Sequence, residues 1–138
     1  MTRPRFACSI SDRPVGEIEE EFEPSTLYGA DLRFHGVVRD SEEGRDIQGI
    51  EYTHYAEMAL REMDRIGEAM RTVVDHVARV HHRVGFVAVG EASIVIRVQT
   101  VHGAEGFELC REYLRRIKST VPIWKRPVFC DEPEAEEK

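Results

Sequence analysis

Residues 81–101 read HHRVGFVAVGEASIVIRVQTV, and this stretch decides the fold class. From Ala92 to Val101, the apolar Ile94, Ile96 and Val98 alternate with Arg97 and Gln99. A period of two predicts a strand with one buried face. His81 to Val89 forms a second strand of the same kind, and Gly90-Glu91 sits between them at hairpin spacing. Working outward, Tyr28 to Arg39 is a strand around Leu32, Phe34 and Val37-Val38. Asp40 to Asp46 (DSEEGRD) is polar, with Gly44 as its turn residue. Ile47 to Tyr55 resumes a strand with Ile50, Tyr52 and Tyr55 as bulky members. Ala56 to Val80 predicts a helix, because Met58, Met63, Ile66, Met70, Val73, Val74 and Val77 make one stripe, at steps of three and four from Met63 onward. A second helix covers Ala104 to Ser119, with Phe107, Cys110, Leu114 and Ile117 as its apolar stripe. Arg111, Arg115 and Lys118 form a cationic stripe beside it. Pro122 ends that helix, and the chain continues as Ile123-Trp124-Lys125-Arg126-Pro127. Strands and helices in this order predict an α+β domain with a mostly antiparallel sheet and two main helices.

The 138 residues suit one domain. With 41% hydrophobic and 33% charged residues, a packed core is feasible and full-length disorder is excluded. No apolar run approaches the length of a membrane span. The opening MTRPRFACSI has no apolar stretch of signal-peptide length, so a cytoplasmic location is expected. Cys8, Cys110 and Cys130 are odd in number and far apart, which predicts free thiols rather than a disulfide framework or a thiolate zinc site. The net charge of -7 is carried by the ends. Glu17, Glu19, Glu20, Glu21 and Glu23 fall in one short stretch, and Asp131 to Lys138 is dominated by acids. Residues 1–27 are thus expected to be an irregular or partly stranded acidic lead-in, broken by Pro4, Pro14 and Pro24. Residues 131–138 are expected to be a flexible acidic tail, leaving 28–130 as the domain. That body is slightly basic and can present a cationic site to an anionic ligand.

Phosphate-loop, dinucleotide, zinc-helix and nucleophile-elbow motifs are all missing. His81 and His82 are adjacent, so in a strand they point to opposite faces and do not chelate one ion; no metal site is expected. What stands out is a set of bases at segment junctions. Arg39 ends one strand, His102 ends another, Lys118 ends a helix, and Lys125 and Arg126 follow Trp124. Taken singly, each of these bases also suits a solvated surface, and Lys118 suits a helix end for dipole reasons. Together they suggest an anion site.

Five segments then carry a family resemblance. They are FHGVVR (34–39), IEYTHYAEMA (50–59), HRVGFVAVGE (82–91), VHGAEGF (101–107) and KSTVPIWKR (118–126). In this order they resemble the large, catalytic subunit of molybdopterin synthase, the MoaE family. The resemblance implies an α/β hammerhead-type fold with an antiparallel subdomain. It also implies an enzyme that transfers sulfur from a thiocarboxylated, ubiquitin-like small subunit ending in Gly-Gly to cyclic pyranopterin monophosphate, forming the dithiolene of molybdopterin. It implies a central homodimer with two small subunits, a heterotetramer, and no cofactor. The implied catalytic residues are Lys118 and Lys125. The implied substrate contacts are Val37, Val38, Arg39, His102, Gly103, Lys118, Lys125, Arg126 and Pro127, with Phe34 and Trp124 at partner or dimer contacts. An ammonium suits this chemistry, since it stabilises charged adducts or donates a proton. Two positions depart from the family pattern. Gly103 stands where an arginine is usual, with Arg126 or Arg97 as expected substitutes, and Pro127 stands where a glutamate is usual. These departures fit an alternative, a non-catalytic member that binds the small partner or a pterin.

Overall fold

The computed structural model describes residues 5–131. Its elements in chain order are β1 (Phe6–Ser11), α1 (Val15–Glu19), β2 (Ala30–Val37), β3 (Ser41–Glu42), β4 (Arg45–His54), α2 (Ala56–Met70), β5 (His76–Arg83), β6 (Gly85–Ala88), β7 (Ala92–Thr100), α3 (Gly103–Thr120) and β8 (Ile123–Phe129). One sheet has the order β1-β5-β7-β2. Only β1 and β5 pair in parallel; the other pairings are antiparallel. A second sheet is built on β4, which pairs with β3, β6 and β8. The α+β expectation with a mostly antiparallel arrangement and two main helices holds.

The main core lies between the first sheet and the two long helices. Met63, Ile66 and Met70 of α2 meet Ala78, Val80, Ile94, Ile96 and Val98 of the sheet, together with Leu109, Tyr113 and Ile117 of α3. Gly67 lets α2 approach β1, because a side chain there would occupy the space filled by the Phe6 ring. The central strand β7 is buried on both faces. Its second face is covered by α1, through Val15 and Ile18, and by the segment after it.

Several expectations are corrected. The helix expected to Val80 ends at Met70, and Val77 belongs to β5. Val73, Val74 and Val77 fall three or four residues from Met70 or from one another, but β-branched residues are stiff in a helix; Val73 and Val74 sit in the turn after α2, and Val77 joins the pleated surface. The strand expected from His81 to Val89 is split at Val84, and Gly85 at φ 85° turns the chain from one sheet to the other. Gly90-Glu91 is therefore a crossover and not a hairpin, since β6 pairs with β4 while β7 pairs with β5 and β2. The buried face of α3 is Leu109, Tyr113 and Ile117, whereas Phe107 is exposed. Tyr113 can sit inside because its hydroxyl donates to His76 Nε2 at 2.7 Å, while Nδ1–H of the same ring donates to the Val74 carbonyl. For the acidic lead-in, expected to be irregular or partly stranded, the partly stranded form is found: β1 extends the sheet, and Glu19 accepts from His35 at 2.8 Å. The chain beyond Pro122, for which no element is expected, forms the last strand, β8, and pairs with β4. Of the expected acidic tail, only Asp131 lies within the described residues, where it accepts from Arg45 at 2.7 Å.

Candidate functional site

The two sheets and the end of α3 leave a pocket of about 470 Å³ at their junction. Each wall follows from local sequence. The last turn of α3 presents Lys118, where a cation also suits the helix dipole. Val121-Pro122 then stops the helix and feeds β8, so that Lys125 lies opposite Tyr52 of β4. Strand alternation turns Lys125 towards the pocket and Arg126 away from it. Phe34, Ile94, Ile117 and Ile123 supply apolar surface, and Tyr52 and His82 supply aromatic walls. The result is an apolar cleft with ammonium groups on two different elements. A larger pocket, about 720 Å³, lies against β1 and α2. Its charges are already matched, with Arg5 to Asp75 at 2.9 Å and Arg71 to Glu68 at 3.3 Å. The lysine pocket is therefore the better anion site.

Its electrostatics are uneven. Burial lowers the His82 pKa from its ordinary 6.5 to about 4, so the ring is neutral near pH 7. Its Nδ1–H donates to the Arg83 carbonyl at 2.7 Å, and its face meets the Tyr52 ring edgewise at 5.2 Å. Among the described residues, no carboxylate pairs with Lys118. Lys125 Nζ lies 3.8 Å from Glu42 Oε2, and Arg39 Nη2 lies 3.5 Å from the same oxygen. The carboxylate beside Lys125 thus comes from β3. The thiols stand apart from this chemistry. Burial first, and then Asp64, push the Cys8 thiol up to about 12, and burial also raises Cys110. Among the described residues no group of three or more His, Cys, Asp or Glu is placed to hold a metal ion.

Of the residues singled out in the sequence, Phe34, Val37, Lys118 and Lys125 line this pocket. Val38 turns the other way, into a small core with Ile47, Ile50 and Val87. Its backbone ties the crossover, accepting from Gly90 and donating to Glu91. Arg39 stands outside the pocket lining, linked to it through Glu42. Pro127 pairs with Ile50, and Arg126 with Glu51, in the β4–β8 ladder. Trp124 is half-exposed and stacks edgewise on Tyr55 at 5.1 Å. His102 and Gly103 open α3, at the end opposite Lys118, about 24 Å away at 1.5 Å of rise per residue. One chain does not bring His102 to the lysines. Arg97 is no substitute cation for Gly103: it is buried, bonded to both oxygens of Asp31 at 3.0 and 2.7 Å, and covered by Phe22. Sequence reasoning missed Glu42, Tyr52 and His82 as site residues. Nothing in the spacing connects β3 or β4 to the end of α3; only the β4–β8 pairing does.

A family model described as MoaE protein matches residues 11–120. A relative from Taeniopygia guttata, named molybdopterin synthase catalytic subunit, is 39% identical over 86% of this chain and 77% of its own length. A protein of the same name from Pyrococcus abyssi is 40% identical over 75% of this chain and 71% of its own. One from Arabidopsis thaliana is 39% identical over 73% of this chain, which spans only 52% of that longer relative. Among solved structures, molybdopterin synthase from Staphylococcus aureus superposes with a TM-score of 0.80 at 26% identity, covering 95% of this chain and 96% of that one. The fold also matches a chain from a complex of subunits 1 and 2 of the molybdopterin-converting factor of Helicobacter pylori. Here the TM-score is 0.71 at 19% identity, over 94% of this chain and 92% of that one.

Proposed function

The chain belongs to the MoaE family, and from that premise we propose that it is the catalytic subunit of a molybdopterin synthase. It moves sulfur from the thiocarboxylated C-terminus of a ubiquitin-like small subunit to cyclic pyranopterin monophosphate, forming the dithiolene. The observation that carries this reading is the meeting of Lys118 and Lys125, from separate elements, at one apolar pocket. Both the substrate's phosphate and the partner's tail are anionic, and ammonium groups attract both. Lys118, with no carboxylate partner among the described residues, is the group that stabilises charge on the pterin adduct or donates a proton to it. Lys125 holds charge beside it. Tyr52, Phe34 and Ile94 offer flat and apolar surface to a ring system. Sulfur is supplied by the partner, so the reading invokes no resident cofactor. It places the protein in the cytoplasm.

The distance along α3 adds a requirement. If His102 and Lys118 serve one site, His102 must come from a second copy of the chain, which supports a homodimer at the centre of the assembly. The test is incubation with the pterin precursor and a thiocarboxylated small subunit, followed by assay for molybdopterin. Product formation that depends on Lys118 supports the proposal. No product with an intact partner and precursor would favour a binding module without catalysis.

A further inference from the structure

Glu42 was not among the residues that the spacing of bases suggested, yet it is the only carboxylate within ion-pair distance of either pocket lysine among the described residues. Its surroundings are asymmetric. The Glu42 side chain is 17% exposed, whereas Lys125 is 56% and Arg39 77% exposed. The acid is held and the cations are free to move. A tight hairpin holds it: Glu42 pairs with Arg45 across a two-residue turn, Glu43 and Gly44, at φ 56° and 75°. Two successive positive φ values define the turn that matches strand twist, and Glu43 takes up a conformation that side chains disfavour in order to close it. The far strand of the hairpin is pinned in turn, with Arg45 over the Phe129 ring at 3.7 Å and bonded to Asp131. One oxygen of Glu42 therefore faces two cations at 3.5 and 3.8 Å, too long for tight hydrogen bonds.

We infer that Glu42 is an internal counter-anion of the pocket. It gathers Arg39 and Lys125 at the mouth while the site is empty, and it yields them to the oxyanion of an incoming ligand. The loose distances are what such an exchange requires, because a bidentate, close pair would resist displacement. The half-buried placement fixes where the cations gather, and their own exposure leaves them able to turn to a ligand. Glu42 is thus a positioning residue that acts through Lys125 and Arg39. The ligand class is an oxyanion, from either a phosphate monoester or the terminal carboxylate of a peptide tail. The inference rests on the pocket assigned above but not on its turnover.

The experiment is a side-chain NMR titration of the full chain, following Arg and Lys resonances, with inorganic phosphate in one arm and acetyl-Gly-Gly in the other. Glu42→Gln should tighten binding of one probe by about two- to fivefold, the range expected for an exposed ion pair. Glu43→Gln, the same charge change one residue away, should not. Glu42→Asp, which keeps the charge but withdraws it, should move affinity in the same direction by less, and it serves if the glutamine variant disturbs the hairpin. The gain should shrink when Lys125 is also replaced by Met and vanish when Arg39 is replaced as well. Tightening for phosphate assigns the exchange to the substrate's phosphate, and tightening for acetyl-Gly-Gly assigns it to the partner's tail. Equal affinities in Glu42→Gln and Glu43→Gln overturn the inference, as does a gain that survives loss of both Lys125 and Arg39. Positive titrations beside a wild-type chain without sulfur transfer would reject the proposed activity and leave this inference standing.

Discussion

The two sheets of this protein are built to different ends. The first packs two amphipathic helices on one face and a short helix on the other, so its central strand is dry on both sides. The second has four strands but a core of only Val38, Ile47, Ile50 and Val87, with Tyr52 and Phe129 at its margin. Its outer residues Phe86 and Trp124 remain substantially exposed. The first sheet has the larger core, shared with both long helices. The second is held by its pairing along β4 and by a crossover to the first. The lysine pocket lies where they meet, taking Lys118 from α3, which packs on the first, and Lys125 from β8 of the second. A site at such a seam has a rigid wall and a more adjustable one.

The largest effect that would sharpen this contrast is on activity. Lys118→Ala should lower turnover by about a hundredfold or more, with little change in thermal stability, because an exposed helix-end lysine adds little to the fold. Steady-state assays beside thermal melts check this; unchanged turnover removes Lys118 from the mechanism. Next comes the core of the first sheet. Ile96→Ala should destabilise by about 2–5 kcal/mol, because Ile96 is fully buried among side chains that cannot close the gap. Ile47→Ala, in the thinner core, should cost less than Ile96→Ala in parallel urea melts. Equal costs would erase the distinction between the sheets.

A third test uses pH. The folded His82 pKa of about 4 lies below its ordinary 6.5, so between those values the unfolded chain binds the extra proton. Stability from this group is fully present above pH 6.5 and is lost as pH falls towards 4, by about 2–3 kcal/mol. His82→Gln should flatten that part of the stability–pH curve. A slope that persists in the variant would assign it to other groups. The smallest effect is expected at Gly103. It opens α3 without a positive φ, and nothing lies within 4 Å of where a side chain would start. Gly103→Arg should therefore change stability by less than about 0.5 kcal/mol. If a second copy presents this helix end to the pocket, the same change should tighten precursor binding in calorimetry.

Much of this was legible along the chain. The alternation of Ile94, Ile96 and Val98 located β7, and Pro122 marked the end of α3. Lys118 and Lys125 stood out among the other bases only through the family resemblance. Misreadings cluster where one pattern satisfies two structures. Val73, Val74 and Val77 fit a helical stripe by spacing, but Val73 and Val74 fall in the turn after α2, and Val77 takes the strand because β5 completes a sheet between β1 and β7. Phe107 fits the helix stripe by spacing, but the buried face is set by Tyr113, whose hydroxyl finds His76 only in the folded protein.

Local sequence by itself determined the types of β2, β4, β7, α2 and α3, the two helix faces to within one position, and a surplus of cations near the chain's later junctions. Periodicity and helix stops are short-range properties, and they are written into neighbouring residues. The tertiary structure alone decided which cations share a pocket. It set Lys125 beside Glu42 through a ladder that joins residues far apart in sequence, buried Arg97 against Asp31, and left His102 a helix length from Lys118. Strand pairing and burial act between distant segments, and a charged side chain carries no local sign of which carboxylate it will meet.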